Sequence, residues 1–271
     1  MTGAAILSSR AALACGAGLI TLYHKPGLET IFEISLTEVM TKPFCPDDDT
    51  VLKKILDSHA ILIGPGLGKS EWALKVLTII IENYELRPLI IDADAINLIS
   101  ENQHLLDKIK GRKLTILTPH VAEFSRISNM TIEDINNNPC KSVIDFCEKH
   151  RTSVLLKNHY CFFYSDHGSM LYTFNSAFIT GGNDGLSKGG SGDVLAGMIV
   201  SILIQKLLDY HRQCDEQSGF AEPNKMTYSI KSAICSTVKY LYSIAEKLSE
   251  TYETRAITPS MIIENLFRKQ K

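Results

Sequence analysis

Short apolar runs recur along the chain at Leu19–Tyr23, Ala60–Ile63, Leu89–Ile91, Leu114–Leu117 and Val154–Leu156, with stretches of helical periodicity between them. Runs this short and this unbroken mark strands buried on both faces. Their alternation with helices predicts a mainly parallel sheet with helices on both faces, an α/β fold. Beyond Leu155 the pattern changes: Cys161–Tyr164 and Met170–Thr173 flank the turn Asp166-His167-Gly168, which predicts an antiparallel hairpin at one edge of the sheet. The stretch from Asn175 to Lys188 is rich in Gly and Asn and poor in periodicity, so it is expected to be a loop and a candidate ligand lid. A helix is expected to start near Ser191 and another to cover Met226–Leu248, with the polar stretch Asp209–Asn224 as a surface loop between them.

Two apolar stretches raise the question of a leader or a membrane span. Met1 to Tyr23 has no basic opening segment and is broken by Ser8-Ser9-Arg10, which fits an amphipathic helix leading into a strand. Val194–Leu208 contains Gln205 and Lys206 and is expected to fall short of a membrane span. With 271 residues, 45% apolar and 21% charged, the chain is expected to form one domain over residues 1–271, to lie in the cytoplasm and to use no membrane. A formal net charge of −2 and the lack of long basic blocks argue against nucleic acid as a partner. A small anionic ligand needs no basic surface, because backbone N–H groups can hold it. The seven cysteines form no C-x-x-C pair and are read as reduced thiols.

Each central apolar run ends in polar or Gly-containing sequence: Gly64-Pro65-Gly66-Leu67-Gly68, Asp92-Ala93-Asp94, Thr118-Pro119-His120 and Lys157-Asn158-His159. In open α/β sheets the ligand crevice lies beyond the carboxyl ends of the strands, so these loops are expected to share one rim. The sharpest feature is Lys188-Gly189-Gly190-Ser191-Gly192-Asp193 followed by an apolar helix. Glycines let several N–H groups converge, and the helix adds its positive end, which together make an anion hole. Asp193 in the first helical turn is either a dipole-stabilising residue or a base for a substrate hydroxyl. The second reading, beside an anion hole, is what phosphoryl transfer to an alcohol needs.

Other motifs say less by themselves. Gly64 to Ser70 fails as a Walker A loop because position 63 is isoleucine, and alternating Gly64, Gly66 and Gly68 do not make G-x-G-x-x-G. His120 and Glu123 read as ligand contacts, as ordinary helix-start residues, or as two members of a metal site that lacks a third. Asp94 is expected to cap a helix Ala95–Ile99, whereas Asp92 has no such bland role. Lys157 is either solvated or a neutraliser of phosphate at the sheet rim.

Taken in order, Gly3-Ala4-Ala5, Cys15-Gly16-Ala17-Gly18-Leu19, Ile63 to Gly68, Asp92-Ala93-Asp94-Ala95-Ile96-Asn97, Thr118-Pro119-His120, Lys157 and Gly189 to Asp193 resemble the ADP/ATP-dependent NAD(P)H-hydrate dehydratases, which have a ribokinase-like fold. The resemblance covers nearly the whole chain and is to the bacterial type, which implies ADP in preference to ATP as phosphate donor, with Mg2+. It implies dehydration of the S form of hydrated NADH or NADPH, with release of AMP and phosphate. It makes Asp193 the base and a substrate contact, and Gly190 and Gly192 the stabilisers of the transferring phosphoryl group. Ala5, Gly66 and His120 would touch the hydrated dinucleotide. Lys157, Asn158, His159, Tyr160, Cys161, Lys188, Gly189, Gly190, Ser191 and Gly192 would touch the nucleotide. Homo-oligomers and an upstream NAD(P)H-hydrate epimerase partner are further family expectations. Relatives begin with another strand and glycine-containing loop ahead of Gly3, so a first strand is expected to be missing here. The competing functions are a kinase for a small alcohol, on the same anion hole, and a non-catalytic nucleotide-binding subunit.

Overall fold

In the computed structural model, residues 1–84, 87–112, 114–166, 176–216 and 223–266 are described. The strands are β1 (Thr21–His24), β2 (Met40–Pro43), β3 (Ile61–Ile63), β4 (Leu89–Ile91), β5 (Thr115–Leu117), β6 (Ser153–Lys157), β7 (Cys161–Ser165) and β8 (Ser176–Ile179). The helices are α1 (Thr2–Ala14), α2 (Glu29–Ser35), α3 (Asp49–Leu56), α4 (Glu71–Asn83), α5 (Ala93–Glu101), α6 (His104–Ile109), α7 (Val121–Ser128), α8 (Ile132–Asn137), α9 (Pro139–His150), α10 (Ser191–Glu216), α11 (Pro223–Ser249) and α12 (Pro259–Glu264).

The main sheet runs in the order β3-β4-β5-β6-β7-β8, parallel from β3 to β6 and antiparallel from β6 to β8. Successive strand residues face opposite layers, as the pleat requires. Ile91, Leu117, Val154 and Leu156 pack with α4 to α9. Ile90, Ile116, Leu155 and Phe163 pack with α1, α10, α11 and α12. Burial on both faces explains why these strands read as continuous apolar runs.

Several expectations are corrected. The run at Leu19–Tyr23 does form a strand, β1, but β1 pairs in parallel with β2 in a separate two-stranded sheet. Strand β1 is only partly buried and β2 is mostly exposed, which a central position in a covered sheet does not allow. Helix α1 is present but carries no clean apolar stripe: it buries Ala5, Ser8, Ser9, Ala11 and Ala12, small residues that let it lie close to its neighbours. Ser176–Ile179, expected as loop, is β8, paired with β7. The expected strand Met170–Thr173 and the turn at His167-Gly168 lie outside the described residues. Helix α10 continues through Asp209 to Glu216 in place of a loop, because Leu203, Leu207 and Tyr210 keep one buried face at helical spacing.

Over Ser191–Arg212, α10 is long and apolar enough to cross a membrane by length and composition, with mean hydropathy 1.5, contrary to expectation. Its apolarity has a structural use: Val194, Ala196, Met198, Ile199 and Leu203 are buried in the core.

Candidate active site

Strands β4, β5 and β6 end on one rim, and their next residues interlock. The Thr118 N–H donates to the Ile91 carbonyl at 3.0 Å, and the Lys157 N–H donates to the Pro119 carbonyl at 2.8 Å. Asp92, fully buried, closes this rim: its Oδ1 accepts from Thr118 Oγ1 at 2.8 Å and from Lys157 Nζ at 2.7 Å. Asp92 Oδ2 is buried with no hydrogen-bond partner. Burial alone would lower the Lys157 pKa, but the carboxylates of Asp92 and Glu123 hold it above the ordinary lysine value. Lys157 is therefore a fixed cation, not a solvated one. Asp94 does not cap α5, which begins earlier, at Ala93; its Oδ2 instead accepts from the Gly68 N–H at 2.8 Å, tying the loop after β3 to the rim.

Facing this rim is the start of α10. Gly190 has φ +101°, and a β-carbon there would stand 2.7 Å from Leu7 Cδ1 and 3.0 Å from Pro259 Cγ. Only glycine fits both the backbone and the space. The Ser191 N–H is engaged by the Lys188 carbonyl at 3.2 Å, while helical geometry leaves the N–H groups of Gly192 and Asp193 without intrahelical acceptors. Ser191 Oγ is buried without a partner. Lys157 Nζ stands 3.4 Å from where a Gly192 β-carbon would be, so the ammonium lies against the same turn. Burial and the nearby Asp92 charge push the Asp193 carboxyl up to about 6, with Lys157 pulling the other way. Asp193 is thus a carboxylate at neutral pH with the basicity of a proton acceptor.

The cleft between rim and helix is about 370 Å³ and includes Asp92, His120, Lys157, Asn158, Cys161 and Lys188 to Asp193. His120 caps α7: its Nδ1 accepts from the Ala122 and Glu123 N–H groups at 3.2 and 3.3 Å, and Glu123 Oε2 accepts from the His120 N–H at 3.0 Å. Burial would raise the Glu123 pKa, but hydrogen bonds from His120 and the Lys157 charge lower it below the ordinary range. His120 so serves as both a helix-start residue and part of the cleft wall. Among the described residues no group of three His, Cys, Asp or Glu is placed to hold a metal, so the pair has no third ligand. Cys15, Cys45, Cys140, Cys147, Cys161 and Cys235 carry free thiols.

The apolar wall escaped sequence reasoning. Leu186, Leu195, Leu241 and Tyr242 line the cleft, and the Tyr242 hydroxyl donates to Cys161 Sγ at 3.3 Å. Nothing local marks these residues, because the register of α11 against β7 brings Tyr242 there. Four of the residues expected to touch ligands fall outside this cleft. Ala5 is turned into a cluster with Phe32, Leu36 and Val39. The Gly66 carbonyl accepts from the Met1 ammonium at 3.0 Å. Tyr160 is buried against Phe178, ring centroids 4.5 Å apart, and His159 packs edge-on against Tyr160. None of these four lines the cleft; Lys157, Asn158, Cys161, Lys188, Gly189, Gly190, Ser191, Gly192, Asp193 and His120 do.

The sequence pattern of the NAD(P)H-hydrate dehydratase family matches residues 1–257. A bifunctional NAD(P)H-hydrate repair enzyme from Coxiella burnetii is 32% identical over 210 residues, 76% of this chain, and this chain spans only 39% of that protein. An ADP-dependent (S)-NAD(P)H-hydrate dehydratase from Neisseria meningitidis is 30% identical over 79% of this chain and 69% of its own length. A ribokinase-like superfamily protein from Enterococcus faecalis has a structure that superposes with TM-score 0.74 at 26% identity, covering 97% of this chain and 80% of that one. A three-layer sheet whose rim and helix start build one cleft, and a family pattern running through every loop of that cleft, together place this chain in the NAD(P)H-hydrate dehydratase family.

Proposed function

We propose that this chain dehydrates the S form of hydrated NADH or NADPH at the expense of ADP. The observation that carries the reading is Asp193, a carboxylate raised to about 6 in the first turn of α10, beside the Gly190–Gly192 turn and the Lys157 ammonium. As the substrate hydroxyl oxygen attacks the terminal phosphorus of ADP, its proton passes to Asp193 and the bond to the leaving AMP breaks. The ring C–O bond then breaks, inorganic phosphate leaves with its electron pair, and loss of a proton from the adjacent ring carbon restores the C=C bond of NAD(P)H. The amides of Gly192 and Asp193, with Lys157, oppose the charge on the transferring group. ADP is chosen over ATP on the name of the Neisseria relative. Mg2+ bound together with the donor would neutralise charge between its phosphate oxygens.

The test is incubation of the protein with hydrated NADH and ADP. Recovery of NADH absorbance with stoichiometric AMP and phosphate supports the reading. A stable phosphate ester without NADH would establish the small-alcohol kinase chemistry instead, and binding of ADP without turnover of either kind would leave a nucleotide-binding subunit.

A further inference from the structure

The Asp193 base and the Lys157 cation share one cleft, and an ammonium free to move would pair directly with the base and remove its basicity. We propose that Asp92 is a positioning residue which, gripped by Thr118, holds the Lys157 ammonium against the Gly192 turn and away from direct pairing with Asp193. Geometry supports this in three ways. Asp92 is fully buried, so its orientation is fixed by protein contacts and not by solvent. The same oxygen, Oδ1, takes both the Thr118 hydroxyl at 2.8 Å and the ammonium at 2.7 Å, so the hydroxyl sets where the ammonium rests. That resting place is beside Gly192, 3.4 Å from its would-be β-carbon, at the mouth of the helix N-terminus where a phosphoryl group would sit. A lysine held there neutralises incoming phosphate without consuming the base.

The charged groups that face Asp193 are Asp92 from the end of β4, Asp94 from α5, Glu123 from α7 and Lys157 from β6. His120 and Lys188 complete the titratable wall of the cleft. From α1 and α12 the start of α10 meets Leu7 and Pro259, which do not titrate. Asp92 is the largest charge contribution raising the Asp193 carboxyl, so two separate effects of removing it have the same sign. The negative charge disappears, and Lys157 is released toward Asp193. Both draw the carboxyl down toward the ordinary carboxylate range.

The experiment uses the full chain with Asp92→Asn, and Asp92→Ser as a second variant in case the buried amide prevents folding. Carboxyl-carbon NMR titration, with Asp193→Asn to assign the signal, reads the Asp193 midpoint without any need for turnover. The expected result is a midpoint at least one pH unit below the wild-type value, whether or not the chain proves to be a dehydratase. The acidic limb of the rate profile with hydrated NADH and ADP, which does rest on the proposed activity, is expected to move down by the same amount, while the maximal rate falls by about 10- to 100-fold as the weaker base and displaced lysine lose their share of catalysis. An unmoved or raised midpoint in a folded Asp92 variant overturns the positioning role, even if the rate falls. A lowered midpoint in the Asp92 variants of a protein whose unmodified form turns nothing over overturns the activity and leaves the positioning role standing.

Discussion

Helix α1 lies so close to α10 that a single methyl group would part them. A β-carbon on Gly197 would stand 2.1 Å from the Ser8 backbone carbonyl oxygen and 2.9 Å from its carbon. The atoms met are backbone, which cannot rotate away as a side chain does, so Gly197→Ala forces α1 as a whole to move outward by more than 1 Å, on the order of the gap to ordinary contact. Overpacking of this kind costs about 3 kcal/mol at the upper end of its usual range. Replacing a mid-helix glycine returns about 1 kcal/mol of helix propensity. The expected net loss is about 2 kcal/mol, which for a chain of this size lowers the melting temperature by about 4–8 °C. Gly3→Ala supplies the control on the partner helix: nothing lies within 4 Å of its would-be β-carbon and the residue is exposed, so only the propensity gain remains and stability should rise by up to about 1 kcal/mol. Urea denaturation of both variants beside the unmodified chain reads the difference. If Gly197→Ala is neutral or stabilising, the close backbone approach of α1 to α10 is refuted.

Asp193→Asn should lower turnover by about 10²- to 10⁴-fold while leaving nucleotide binding, followed by calorimetry, within a few-fold of the original. In the unmodified protein the rate should climb through a midpoint near pH 6, since Asp193 must be ionised to accept a proton; a rate flat from pH 5 to 8 would remove it from the rate-limiting step. The same raised carboxyl has a cost to folding. A folded-state pKa above the unfolded 3.8 stabilises the fold at low pH and loses that contribution as pH rises through about 6, so Asp193→Asn should raise the melting temperature at pH 8 and leave it nearly unchanged at pH 3. Gly190→Ala, strained at φ +101° and crowded by Leu7 and Pro259, should reduce turnover more than it reduces stability, measured as kcat beside thermal melting; a fully active variant would show that this turn does not shape the anion site.

Local sequence carried the strands of the parallel sheet almost to the residue, because each is a short run that must be apolar on both faces and is closed by a polar or glycine-containing end. It also carried the glycine turn and the helix start at Ser191, because Gly190 and the helix behind it define a backbone shape that few other residues permit. It did not carry the pairing of Asp92 with Lys157, 65 residues apart, or the contact of Ser8 with Gly197. Nor did it reveal Leu241 and Tyr242 as a wall of the cleft, the exclusion of Ala5, His159 and Tyr160 from it, or the placing of β1 outside the main sheet. The physical reason is the same in each case. Periodicity and composition record that a position is buried, whereas the partner it is buried against is fixed only when whole elements dock, and the charge environment that raises the Asp193 carboxyl exists only once four separate strand and helix ends have met.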